Sequence, residues 1–201
     1  NYVFKADALV EALTADAADE ASKHDIGGDI IPMLVDLAEA DVYDFAANEV
    51  PGATERDRSY WRDVGTLDAY YDAHMDLTSI EPIFNLYNQR WPIHTWPDPL
   101  PPAKFVFDDE GHRGHAVDSM ICAGVVVSGA VARRSILSPG AHLHSYAEVE
   151  DSILMQGTDV GRNAVVRRAI HDQKVSGAPG APKGVDHEGP PERVPVSAGG
   201  G

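Results

Sequence analysis

The stretch "VARRSILSPGAHLHSYAEV", Val131 to Val149, sets Val131, Leu137, Leu143 and Val149 at intervals of six. Downstream, Leu154, Val160 and Val166 keep that interval after a slip of one residue. A helix places its apolar face every 3.6 residues and a half-buried strand every second residue, so the period belongs to neither. Small or turn-forming residues fill the gaps: Gly129, Ser135, Gly140, Ser145, Ala147, Gly157, Gly161 and Ala164. A β-solenoid accounts for both features, because each short side of a triangular coil turns one residue inward and bends at the next corner. The pattern predicts such a coil over residues 119–174. The alternative, a β-sandwich, requires the spacing to be coincidental.

Outward from the coil the texture changes on both sides. Residues 91–102, "WPIHTWPDPLPP", are rich in proline and predict an extended connector over 91–118. Its Trp91 and Trp96 are expected to pack against a neighbouring domain. Residues 175–201, rich in Gly and Pro and poor in large apolar side chains, predict a disordered or loosely packed tail. Before the connector, strand-like and helical segments alternate. "NYVF" reads as a strand, and a helix follows with Leu9, Val10 and Leu13 on one face. A second helix is expected from about Asp29, with Pro32 tolerated in its first turn. "DVYDF" and "YWRDV" read as two more strands. This alternation predicts an α/β layer over residues 1–90. Its elements are too few for a doubly wound sheet, so it reads as the back half of a larger domain.

In "YWRDVGTLDAYYDAH", Tyr60 to His74, Thr66 fits the cap of a helix whose apolar run is Leu67, Tyr70, Tyr71 and His74. Asp63 lies three residues before that cap and is not needed for it. An acid where a strand gives way to a helix is placed to face a ligand crevice.

Charge narrows the partners. Residues 1–103 hold 6 Lys and Arg against 20 Asp and Glu, whereas residues 104–174 hold 8 against 9. So acidic a segment repels a phosphate backbone, which argues against nucleic acid. Small anions still have the pairs Arg133-Arg134 and Arg167-Arg168 in the near-neutral segment. No apolar run approaches a membrane span, and no membrane partner is expected. Cys122 is the only cysteine, so no disulfide forms within the chain, and a reducing cytoplasm is the expected compartment.

Three stretches together carry a resemblance: "HDIGGDIIPMLV" (His24 to Val35), "YWRDVGTLDAYY" (Tyr60 to Tyr71) and the six-residue repeats opening at "VDSMICAGVVVSG" (Val117 to Gly129). The chain resembles the C-terminal half of bacterial glucose-1-phosphate adenylyltransferases, the actinobacterial branch above all, from Asn1 to about residue 172. That family implies a nucleotidyltransferase α/β domain followed by a left-handed parallel β-helix. It implies formation of ADP-glucose and pyrophosphate from ATP and glucose 1-phosphate for glycogen synthesis, in a homotetramer that answers to metabolite effectors. By the same resemblance Asp63 is one of two aspartates holding Mg²⁺, and Asp25, Ile26 and Trp61 line the glucose pocket. A capping acid is the plainer reading of Asp25 taken alone. Arg167 and Arg168 are candidate effector contacts, though solvated coil arginines are the commoner case. The family's further basic effector residue meets only Gln173 and Lys174.

The resemblance places the glycine-rich nucleotide loop, its catalytic arginine and a Glu-Lys-Pro sugar-phosphate stretch upstream of Asn1, so no catalytic residue is assigned in this chain. Taken alone, the chain is expected to be inactive. Two rivals remain: a non-catalytic oligomerisation or regulatory piece, and a six-residue-repeat acyltransferase with a coil histidine as base. For the latter, His115, His142 and His144 are available, but nothing near them in the sequence suggests an orienting carboxylate.

Overall fold

Inward-facing small and branched side chains stack in columns from residue 104 onward. In the computed structural model, which describes residues 1–96, 98–177, 182–184 and 192–194, these columns line three five-stranded parallel sheets. One sheet runs through Lys104–Val106, Val126–Ser128, His142–Leu143, Asp159–Val160 and Ser176–Gly177. The second includes Val131–Arg133, Glu148–Glu150 and Val165–Arg167, and the third Ile136–Leu137, Ile153–Leu154 and Ala169–His171. The sheets enclose one continuous core of Val125, Val127, Ala132, Leu137, Leu143, Val149, Leu154, Val160 and Val166, with alanines between them.

Six of the seven expected inward positions are confirmed. The seventh, Val131, is half-buried, and Ala132 beside it points inward instead. The apparent slip is the coil's own period. From Val131 onward equivalent residues recur every 17, as Glu148 aligns with Val131 on one side and Val165 on the other, while the turn before it has 16. The chain turns at each corner through a left-handed residue, and these form columns as well. Gly140 and Gly157 occupy one, Tyr146 and Asn163 another, and Arg134, Asp151 and Arg168 the third.

Inside that third corner runs a serine ladder. Ser135 N–H donates to Ser119 Oγ at 3.1 Å, Ser152 N–H to Ser135 Oγ at 3.1 Å, and Ala169 N–H to Ser152 Oγ at 3.2 Å. Each hydroxyl in turn donates to the carbonyl two residues before it. Where a corner interrupts sheet pairing, the hydroxyl replaces the missing acceptor. Ser135 and Ser152 are fully buried, so Ser152→Ala strands the Ala169 N–H without water. Urea unfolding of this variant is expected to show a loss of about 1–3 kcal/mol. An unchanged midpoint would mean that the ladder adds nothing.

The coil extends past both expected boundaries. Lys104–Val106 and His115–Val117, within the expected connector, are coil strands paired to Val126–Ser128 and Val131–Arg133. Ser176–Gly177, Pro182–Gly184 and Glu192–Val194 add one further strand to each sheet, where a loose tail was expected. An open sheet edge offers backbone donors and acceptors to any extended segment, whatever its side chains. Val175 is buried as well, and the rest of that tail lies outside the described residues. Trp91 and Trp96 are 59% and 84% exposed, so they are not packed as expected.

The chain divides into two compact units, Asn1–Asn48 and Glu49–Gly201. In the first, helix α1 (Ala6–Ala17) turns Ala12 inward, against Ile30 and Leu34 of the segment that follows. Leu9 is half-buried, but Val10 and Leu13 face outward, so the buried line of α1 is Leu9, Ala12 and Asp16. Helix α2 (Ile31–Asp36) carries Pro32 in its first turn, as expected. In the second unit, helix α3 (Leu67–Asp76) begins at Thr66, whose hydroxyl accepts from Ala69 N–H at 3.1 Å. Tyr71 of α3 packs on Ile153 and Ile170, the outward residues of the third sheet, and donates its hydroxyl to Asp151 O at 2.6 Å.

The three strands expected before residue 90 do not form. "NYVF" and "YWRDV" are irregular, and a short 3₁₀ turn, Phe45–Ala47, ends the "DVYDF" segment. A strand is held by its neighbours' backbone groups, and no strand among the described residues precedes Lys104. No helix among those residues is long and apolar enough to cross a membrane.

Candidate functional site

Asp25 and Ile26 sit at the mouth of a tight π-turn, Ile26–Ile30, that leads into α2. The entry to this turn is braced from α1. Asp16, buried at the end of the helix, accepts from Ser22 Oγ at 2.5 Å and pairs with His24 Nδ1 at 2.8 Å. Those two hydrogen bonds, Ser22's first, hold the Asp16 carboxyl below its usual range. His24 takes a left-handed backbone angle, φ 57°, which swings the chain into the turn. Asp25 Oδ1 then accepts from Gly28 N–H, and Asp25 N–H donates to Asp29 Oδ2 at 3.0 Å. Asp25 is therefore a capping acid, as its sequence context suggested, with one oxygen used in the cap. Its side chain and that of Ile26, which is 41% exposed, remain at the surface.

Trp61 and Asp63 belong to the second unit. Trp61 is 69% exposed and presents its ring to solvent. Arg62 turns the other way and buries its Nη1 without a hydrogen-bond partner. Asp63 folds back on the chain, Oδ1 accepting from Gly65 N–H at 3.1 Å, and the side chain stays exposed just before the Thr66 cap. Its other oxygen is thereby left facing outward on a fixed turn. A hard cation takes carboxylate oxygens in this way, so Asp63 suits one ligand position for Mg²⁺. Among the described residues it does not belong to any group of three or more His, Cys, Asp or Glu ligands.

The coil arginines are already engaged. Arg167 lies 3.6 Å from Glu148 and 3.7 Å from Glu150. Arg168 occupies the left-handed corner, one turn from its equivalent Asp151 and two turns from Arg134. Arg134 is held by two carboxylates. Its guanidinium donates to both oxygens of Asp151 and to Glu150 Oε1 at 2.6 Å, and these bonds, those to Asp151 first, push its pKa further up.

The coil histidines do have a carboxylate partner, contrary to expectation. Asp159 Oδ2 lies 3.1 Å from His144 Nε2 and 3.9 Å from His142 Nδ1. The two imidazoles stack, with centroids 4.1 Å apart. Partial burial, and then the neighbouring His144, depress the His142 pKa against the opposing pull of Asp159. Asp159 was missed because it lies one coil away. The 17-residue repeat pairs it directly with His142 and is the signal that finds it. His115 stands apart, with Nδ1 at 3.2 Å from Arg113 O.

Comparison with known proteins matches two separate parts of the chain to two family models. Residues 1–80 match the nucleotidyl transferase family model, and residues 101–200 match the model for GlmU-like C-terminal hexapeptide repeats. The class defined is thus a segment of the nucleotidyl transferase family joined to a hexapeptide β-solenoid. A glucose-1-phosphate adenylyltransferase from Parafrankia sp. (strain EAN1pec) is 58% identical over 94% of this chain and 46% of its own length. One from Corynebacterium jeikeium (strain K411) is 53% identical over 100% of this chain and 48% of its own. The chain belongs to the glucose-1-phosphate adenylyltransferase family. It spans about half the length of the curated relatives it matches.

Proposed function

We propose that this chain is part of an enzyme that makes ADP-glucose and pyrophosphate from ATP and glucose 1-phosphate, the reaction that feeds glycogen synthesis. The observation that carries this reading is 58% identity over 94% of the chain to a glucose-1-phosphate adenylyltransferase. On this reading the enzyme is cytoplasmic, homotetrameric and under effector control, with the coil arginines Arg167 and Arg168 as candidate anion contacts.

Each assigned residue has a role its geometry permits. The exposed ring of Trp61 offers a flat apolar face to the pyranose. Asp25 spends Oδ1 on its cap and keeps Oδ2 to accept from a sugar hydroxyl. Ile26 supplies apolar contact beside it. Asp63 holds Mg²⁺ through the oxygen not used by Gly65 N–H. Bound Mg²⁺ neutralises charge on phosphate oxygens. One carboxylate is a poor Mg²⁺ site on its own, so on this reading Asp63 shares the ion with a second ligand.

The test is pyrophosphate release with Mg²⁺, ATP and glucose 1-phosphate. The 201-residue chain by itself is expected to be silent, and joined to the other half of a relative it is expected to release pyrophosphate. In that joined enzyme Trp61→Ala should raise the KM for glucose 1-phosphate well above any change for ATP. Equal effects on the two substrates would place Trp61 outside the sugar pocket, and silence of a folded joined enzyme would overturn the assignment.

A further inference from the structure

We propose that His142, His144 and Asp159 form a binding site for one divalent transition-metal ion of the zinc, nickel or copper kind. The coil builds this site from its repeat. Leu143 is fully buried, so pleating turns His142 and His144 to the same outer face of one strand. Asp159 sits directly opposite His142 on the next strand of that sheet, at the fixed spacing of about 4.8 Å between paired strands. Val160, the inward neighbour of Asp159, is buried and locks its strand to the core.

The donor atoms are close to coordinating positions. Zinc bonds of about 2.0–2.2 Å to imidazole and carboxylate in a tetrahedral site put ligand atoms about 3.3 Å apart. His144 Nε2 and Asp159 Oδ2 are already 3.1 Å apart, and His142 Nδ1 is 3.9 Å from the same oxygen. One nitrogen from each histidine and a carboxylate oxygen of Asp159 all lie within 4.8 Å of one another. A small rotation of the His142 side chain closes the set. The side chains are 38%, 42% and 43% exposed, which leaves an approach for the ion and room for water at the remaining positions.

Two imidazoles and one carboxylate also set the selectivity. Imidazole suits Zn²⁺, Ni²⁺ and Cu²⁺, whereas Mg²⁺ and Ca²⁺ prefer an all-oxygen shell. The site is therefore chemically distinct from the Mg²⁺ position proposed at Asp63 and uses none of the residues assigned to the sugar.

The experiment is a calorimetric titration of the full chain with Zn²⁺ at neutral pH, repeated on H142Q/H144Q/D159N. All three substitutions lie on the outer face, and matched thermal melts of parent and variant serve as the check that the fold is kept. The parent is expected to bind one ion with micromolar affinity that millimolar Mg²⁺ does not displace. The triple variant is expected to lose about tenfold or more in affinity. With Cu²⁺ in place of Zn²⁺, the electron paramagnetic spectrum of the parent should show two imidazole nitrogens, reduced to one in His144→Gln. The chain has nine histidines, so equal binding by parent and triple variant would place the ion elsewhere and overturn the proposal. Absence of binding to the parent would overturn it as well.

Discussion

Asp63→Asn, made in an enzyme that joins this chain to the rest of its catalytic domain, is expected to lower turnover about a hundredfold or more. The substitution keeps the shape of the side chain. An amide oxygen can still accept from Gly65 N–H, so the turn at 3.1 Å and the Thr66 cap that follows it should survive. What is lost is the negative charge that a small divalent cation requires of its protein ligands. The loss should therefore appear in kcat at saturating ATP and glucose 1-phosphate, with partial recovery as Mg²⁺ is raised, while the melting temperature stays near that of the parent. Near-parental turnover at ordinary Mg²⁺ would remove Asp63 from the metal. Asp25→Asn should behave differently, because an amide oxygen can still accept from Gly28 N–H or from a sugar hydroxyl, so its smaller effect is expected in the KM for glucose 1-phosphate.

The coil was legible because its period is written in residue types. Leu137, Leu143, Val149, Leu154, Val160 and Val166 are all buried to within 1% exposure. Thr66 was legible for a local reason as well, since a cap depends on only the three residues that follow it. Errors arose where a partner distant in sequence decides the outcome. "NYVF", "DVYDF" and "YWRDV" have the composition of strands, but composition cannot supply a neighbouring backbone. Val131 was preferred to Ala132 because size was taken for burial; the register aligns Ala132, not Val131, with the buried Val149 and Val166. The extent of the coil was misjudged at both ends for the opposite reason. Pairing along a sheet edge is a backbone property, so proline and glycine near residues 104 and 182 did not prevent it. Asp159 was overlooked beside His142 and His144 because proximity was judged along the chain and not across one turn of the coil.

Within the site, the sequence carried the residue types but not their state. The resemblance singled out Asp25, Ile26, Trp61 and Asp63 together. The structure adds that both acids have one oxygen tied to a nearby backbone N–H. That fixes each carboxylate on a short turn before any ligand arrives, which lowers the entropy lost on binding. Neither hydrogen bond follows from residue type, because each depends on the dihedral angles of the turn.

Leu154→Ala is expected to cost the coil about 2–5 kcal/mol, towards the upper end of that range. Leu154 is fully buried and aligns with Leu137 on one side and His171 on the other, both also fully buried. The cavity left by truncation can close only if the neighbouring turns approach one another. Their separation is fixed by backbone hydrogen bonds, Ser138 N–H to Leu154 O and Met155 N–H to His171 O, both 2.9 Å. Side chains could fill the gap only by leaving their own positions in the same column. In a solenoid each turn is supported by its two neighbours alone, so the weakened turn should also open locally. Hydrogen exchange is expected to accelerate first at Met155 and Ser138, ahead of the turns on either side. Val131→Ala provides the contrast: its side chain is half-buried outside the core that Ala132 faces, and a loss below about 1 kcal/mol is expected there. Equal losses in urea for the two variants would mean that the coil relaxes as a whole, and that its hydrogen-bonded spacing does not hold cavities open.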